Sequence, residues 1–405
     1  LTAGQWGWAT AASGQITTNT LVAPATGGSV ITDYKYRKDG GALVSLALSS
    51  PGSTTVSGFS FSSAALAKQP LMIALACTSD SSLVGVGLVI VMVLTAVIVL
   101  GLGSFQVSVP DVVRALFGDG PQAVRTVVLK WRLSRVVLAV LIGLALGASG
   151  AIFQSLTRNP LGSPDIVGFS TGAYTGAIVA IILIDTGQPA VVSGALVGGL
   201  VTAFAVYLLA YRRGVQGFRL IVVGIAVTAM LGSATTYLLL HTELWRAQLA
   251  AIWGAGSING MDWDEVRPIA VMVAVTLPVV LVLGRRLATL ELGDDAAAGL
   301  GVRVEAVRLC LVLFGVALVA VPSALTGPIQ FVALAAPHIA RALTRGTGAL
   351  VLPSALVGAT LMLVCDAFAQ HLFAPIILPV GLVTIVLGGA YLTWLIARQA
   401  RQELR

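Results

Sequence analysis

Residues 155–173 read "SLTRNPLGSPDIVGFSTGA". Long apolar stretches flank the segment, which breaks them with two prolines, an arginine and an aspartate before glycines recur. Asn159-Pro160 ends the helix that arrives, because a residue before proline avoids the α region. Ser163, Pro164 and Asp165 suit the start of the next helix: a capping hydroxyl, a first-turn proline and an acid at the positive end of the dipole. Gly168, Gly172 and Gly176 then recur every fourth residue, which places them on one face where a second backbone can approach. Gly143 with Gly147, and Gly194 with Gly198, repeat the spacing on either side. The segment reads as a tight turn between two bundle helices, and the glycine faces as packing surfaces rather than ligand sites.

Composition supports a bundle immersed in lipid. The chain has 405 residues, 57% of them hydrophobic and 10% charged, with mean hydropathy +0.95. A soluble domain carries about 25% charged residues. A membrane-spanning helix needs roughly 20 mostly apolar residues. Ten such spans are expected, near 83–103, 136–154, 166–184, 190–211, 220–240, 268–284, 306–324, 328–343, 350–368 and 376–397. The fold class is therefore an all-α polytopic membrane protein. The eighth span is short and interrupted by Ala336-Pro337-His338, so a broken or tilted helix is expected there.

Residues 1–81 differ in character from residues 82–405, which hold all ten spans. They are rich in Ser, Thr and Gly, with a hairpin expected in "YKYRKDGGALVSLAL" (34–48). "LMIALACTSD" (71–80) has the look of a lipoprotein box at Cys77, but its apolar run is short for such a signal. Three scattered cysteines make neither a disulfide framework nor a zinc site.

Charge sets the orientation. The loops after spans two, four, six and eight, with the tail, hold 13 Lys/Arg, and the opposite loops hold 7. The richer side is the cytoplasmic one. The unit then spans a bacterial cytoplasmic membrane with both ends on the cytoplasmic side. Arg114, Arg125, Lys130, Arg132 and Arg135 cluster on the outer side against this rule.

Four constellations could carry function. "LGDDAAAGLGV" (292–302) holds Gly293, Asp294, Asp295, Ala296, Ala297, Gly299 and Gly301, a helix of under two turns between spans six and seven. Its aspartates can cap and its alanines favour helix, but so short a helix is unstable alone and wants something to hold it. Arg132 and Arg135, in "KWRLSR", are either snorkelling charges at a helix start or a contact for a partner. Gln216, Gly217 and Phe218 form either a short turn or a narrow constriction. Asp366 stands deep in the ninth span, where an ionisable group is a functional candidate. With no second acid or histidine one turn away, it reads as a satisfied structural carboxylate, and proton coupling is the alternative. His338 lacks the neighbours a metal site needs, so no metal is expected. The chain holds no G-x-x-x-x-G-K-[ST] phosphate loop, so ATP hydrolysis, if used, belongs to another polypeptide.

Four stretches together resemble the iron-chelate and vitamin B12 family of ABC importer permeases. They are "RLSRVVLAVLIGLALGASGAIFQSLTRNPLGSPDIVGFSTGA", "LELGDDAAAGLGV", "LTGPIQFVALAAPHIARAL" and "LPVGLVTIVLGGAYL". The likeness runs over 82–405 and is strongest to the enterobactin-type second permease subunit. It implies a permease rather than an enzyme, with ten helices per subunit and two subunits around one pathway. Two ATPase subunits would hold the ATP and Mg, and an extracytoplasmic binding protein would deliver a ferric siderophore of catecholate type. Cobalamin or haem is the alternative cargo.

The resemblance also implies residue roles. The 293–301 loop would dock on the ATPase, Arg132 and Arg135 would meet the binding protein, and Gln216, Gly217 and Phe218 would form the cytoplasmic gate. Ser134 stands where the family has proline. Self-pairing members carry an Arg and a Glu where this chain has Gln370 and Ile377, which implies a heterodimer.

Overall fold

The computed structural model describes residues 34–37, 43–46, 84–101, 109–165, 168–184, 186–211, 217–344 and 350–403. The box ending at Cys77 and the residue Gln216 lie outside these. The chain divides into two compact units, Leu1–Asp80 and Ser81–Arg405. In the first, β1 (Tyr34–Arg37) and β2 (Leu43–Leu46) pair antiparallel, Tyr34 opposite Leu46, where the hairpin was expected.

The described residues of the second unit are helical throughout, joined by turns. Ten helices build the bundle. In chain order the first five are α1 (Val84–Gly101), α3 (Gln122–Thr157), α4 (Phe169–Ile184), α5 (Gln188–Ala210) and α6 (Gly217–Leu240). The others are α8 (Trp263–Glu291), α10 (Val304–Thr326), α11 (Val332–Thr344), α12 (Val351–His371) and α13 (Val380–Glu403). Three short helices link them: α2 (Val109–Leu116), α7 (Leu244–Gly254) and α9 (Asp294–Gly299).

Helix α3 is the central beam and is buried along most of its length. Its glycines bring backbones together. A Cβ on Gly143 would fall 2.5 Å from the Cα of Ala359 and 2.7 Å from its nitrogen, so α3 and α12 touch main chain to main chain. Ser149 adds a hydroxyl donated to the Gly315 carbonyl of α10 at 2.7 Å. Gly172 and Gly176 meet Gly194 and Gly198 in the same manner, and a Cβ on Gly176 would fall 2.9 Å from the Gly198 Cα. Close approach of this kind replaces the hydrophobic driving force that lipid removes.

Three local expectations change. The second span begins at Gln122, well before 136, and its residues Thr126–Arg132 form a π-helical stretch. Ser134 thus sits inside a helix rather than at its start, and its hydroxyl donates to the Lys130 carbonyl at 2.7 Å. The eighth helix is not broken: α11 runs through Pro337. Helix α4 starts at Phe169, so Ser163, Pro164 and Asp165 belong to the turn before it. Gly168 is the cap residue, at φ 87°, and a Cβ there would meet Thr228 Oγ1 of α6 at 2.7 Å rather than α5.

Candidate functional site

Gly293 precedes α9 at φ 118°, a backbone shape that favours glycine, and Gly301 follows at φ 79°. Asp294 and Asp295 occupy the first turn, where acids suit the dipole. Ala297 is fully buried and seats the helix, whereas Leu292 and Leu300 on either side are 69% and 67% exposed. Asp295, Ala296 and Gly299 are exposed beside them.

An internal anchor holds this short helix. Arg308 of α10, with only 8% of its side chain exposed, donates Nη2 to both Asp294 oxygens at 2.9 and 3.0 Å. Its Nη1 donates to Glu305 at 2.9 Å. Arg158, the left-handed residue that ends α3, donates Nη2 to Asp294 Oδ1 and to the Leu290 carbonyl, both at 2.7 Å. Asp294 therefore ties the ends of α3 and α8 to the start of α10. Burial alone would raise its carboxyl, but hydrogen bonds and charge from Arg308 and Arg158 outweigh that and hold it below the ordinary range.

The turn between α3 and α4 is fastened beside this cluster. His338 Nε2 donates to the Pro160 carbonyl at 2.9 Å. Arg341 donates to Gln154 Oε1, and Gln154 Nε2 donates to the Leu334 carbonyl at 3.0 Å. Asp165 accepts from the Ser170 hydroxyl at 2.6 Å and from the backbone N–H of Phe331. Burial pushes its carboxyl up to about 6, and those two hydrogen bonds oppose the shift. Gly217 lies against the end of α3, where a Cβ would fall 2.6 Å from the Thr157 Cα. Phe218 is 79% exposed.

A second cluster lies about 35 Å away along α3, taking 1.5 Å per residue. Arg135 donates Nε to Asp366 Oδ1 at 3.1 Å and Oδ2 at 2.9 Å, and Nη2 to Oδ1 at 2.7 Å. The same Nη2 donates to Asn259 Oδ1 at 2.6 Å. Gln370 Nε2 donates to Asp366 Oδ2 at 2.8 Å. Asp366 is fully buried and Arg135 is 14% exposed. The ninth-span carboxylate is thus satisfied from two sides. Arg135, expected to face a binding protein, is instead turned into the bundle. Arg132, also half-buried, donates Nη1 instead to the Leu100 carbonyl at 2.9 Å. The two docking candidates part company because residues three apart on a helix point about 60° apart, and α12 waits on only one of those bearings.

Sequence reading missed both clusters as clusters. Arg158 with Asp294 and Arg135 with Asp366 are separated by 136 and 231 residues. No local pattern links such pairs. The usable signals were local: Glu305 with Arg308, an i,i+3 pair at the head of a span, and Asp366 with Gln370, an i,i+4 pair.

Comparison with known proteins agrees with this architecture. The ferric enterobactin transport system permease protein FepG of Escherichia coli (strain K12) is 48% identical over 301 residues, 74% of this chain and 91% of that one. The achromobactin transport system permease protein CbrC of Dickeya dadantii (strain 3937) is 37% identical over 303 residues, 74% of this chain and 87% of that one. A solved structure described as a metal-chelate type ABC transporter in an inward-facing conformation superposes with TM-score 0.70 at 26% identity, covering 78% of this chain and 98% of the other. Both sequence relatives are permease proteins of transport systems, and this chain is likewise a permease rather than an enzyme. The model of the FecCD transport family matches residues 87–398, and the chain belongs to that family.

Proposed function

We propose that the chain is the permease subunit of an ATP-driven importer of ferric siderophores, taking a catecholate chelate of the enterobactin kind. The observation that carries this reading is α9: a six-residue helix seated by Ala297 and Asp294, with Leu292 and Leu300 exposed on either side. That is a rigid knob with an apolar tip, suited to a cleft on an ATPase. Similarity to FepG and CbrC supports a siderophore cargo.

Transport resides in residues 82–405. The α9 end is cytoplasmic by the positive-inside rule, and both ends of the ten-helix unit lie there. Two ATPase subunits bind at α9 and hold ATP and Mg; this chain holds no cofactor. Their closure swings the paired permeases between outward- and inward-open states. Gln216, Gly217 and Phe218 narrow the inner mouth. Arg132 meets the substrate-binding protein at the outer end. The second permease is a distinct subunit: Gln370 is spent on Asp366 and Ile377 offers an exposed apolar side chain, so a partner must supply the missing rim charges. Proton-driven uptake through Asp366 has less support, because Arg135 and Gln370 already occupy its oxygens.

Ala296→Arg tests the reading, since it places bulk on the exposed face of α9 without touching the Asp294 anchor. The variant is expected to insert normally, to lose ATPase co-purification through a tag on this chain, and to lose uptake of ferric enterobactin. Wild-type levels of both would refute it.

A further inference from the structure

Helix α3 carries one arginine joint at its last turn and another in its first half, thirteen residues in from Gln122. Arg158 closes its last turn on Asp294, and Arg135 binds Asp366 and Asn259 roughly 35 Å away. We propose that α3 is the strut that carries a displacement of α9 to the far end of the bundle, with Arg158–Asp294 and Arg135–Asp366 as its two joints. The inference rests on the ATPase-docking reading of α9.

A strut must be stiff, attached at both ends, and able to move something. Stiffness comes from the packing. Gly143 and Gly147 lock α3 onto α12 backbone to backbone, Gly150 does so onto Ala333 of α11, and Ser149 bonds α10. Packed elements of this kind shift as units rather than deform.

Attachment at the α9 end is direct, since Arg158 holds both Asp294 and the last turn of α8. At the far end the guanidinium grips Asp366 through two nitrogens, a forked geometry that fixes direction as well as distance. Its burial excludes the water that would otherwise compete for the pair.

The part that the far joint holds is the segment between α7 and α8. Asn259, held by Arg135, lies in it. Ser257 N–H donates to the Thr326 carbonyl at 2.7 Å, and Gly381 N–H donates to the Gly256 carbonyl at 2.9 Å, so this segment also seats the end of α10 and the start of α13. Beside it lies an open pocket of about 330 Å³ lined by Ser257, Asn259, Thr326, Gln188 and Trp253. Arg135 is a positioning residue in this scheme: it touches no cargo and acts through Asn259 and Asp366.

The test uses the complex purified from its native host through a tag on this chain and reconstituted in liposomes. ATP hydrolysis is read as phosphate release, with and without the binding protein loaded with ferric enterobactin. Asp366→Asn alone leaves a buried guanidinium without its counter-ion and endangers folding. Arg135→Gln combined with Asp366→Asn neutralises both partners and avoids that problem. The double variant is expected to keep its ATPase and its basal hydrolysis. Stimulation by the loaded binding protein is expected to fall about tenfold, within the usual range of coupling between sites. The exchanged pair, Arg135→Asp with Asp366→Arg, is expected to restore part of it. Stimulation within about twofold of wild type in the neutral variant would overturn the strut. A wild-type complex whose hydrolysis ignores the loaded binding protein would overturn the ATPase reading itself, and the strut with it.

Discussion

Replacing Gly143 by alanine adds one methyl group where α3 meets α12. The new Cβ would sit 2.5 Å from the Ala359 Cα and 2.7 Å from its nitrogen. Carbon atoms prefer about 3.5–4.0 Å, so the helices must part by roughly 1 Å. All the obstructing atoms, the Gly358 carbonyl oxygen among them, are backbone, and no rotamer change can relieve them. A gap of that size forfeits a quarter to a half of each contact it opens. The expected cost is about 1–3 kcal/mol, the usual range for overpacking a tight core. Gly232 in α6 is the control, because nothing lies within 4 Å of a Cβ built there. Gly232→Ala is expected to stabilise by about 0.5–1 kcal/mol through helix propensity alone. The assay is the thermal midpoint of the detergent-solubilised chain, followed by size-exclusion recovery after heating. The two alanines should move it in opposite directions. A Gly143→Ala protein as stable as wild type would show that α3 and α12 do not meet at their backbones.

Two further outcomes follow from single side chains. Asp165 has a folded value of about 6, above that of an unfolded aspartate, so the stability it lends is complete only below the unfolded value and is lost as pH rises through 6. Asp165→Asn should therefore raise the thermal midpoint at about pH 7.5 and leave it unchanged at about pH 3; equal shifts at both would contradict the burial. Arg132→Glu should raise the binding-protein concentration for half-maximal uptake about tenfold, the low end of what electrostatic steering contributes, and more so at low salt. A salt-independent effect would point to damaged packing instead.

Much of the fold could be read from residue order because lipid imposes a simple rule: about 20 apolar residues cross, and polar ones turn. The limits of that rule show in particular places. It placed the second span at 136 because Arg125, Lys130, Arg132 and Arg135 depress the hydropathy before it, yet the helix continues through them to Gln122. It passed over α2 and α7, which are too short and too mixed in polarity to register. It read Ser163-Pro164-Asp165 as a helix start, whereas Asp165 answers to Phe331, which is distant in sequence. The candidate site was half visible. The α9 loop announces itself by composition, but its anchors come from α3 and α10. Nothing near Arg135 reveals that it faces Asp366 rather than solvent.

The π-helical stretch Thr126–Arg132 has a consequence for how this chain tolerates insertions and deletions. An α-helix turns about 100° per residue. Losing one residue anywhere between Val136 and Thr157 would swing Arg135 by that angle relative to Arg158, so that the two could no longer both find their carboxylates. Losing one residue within Thr126–Arg132 instead removes the wide turn and returns the stretch to ordinary α geometry, with both neighbours still in phase. The chain thus carries a one-residue reserve just ahead of its most register-sensitive helix. Length variation among natural versions of this helix should collect there and be absent from the stretch between Arg135 and Arg158.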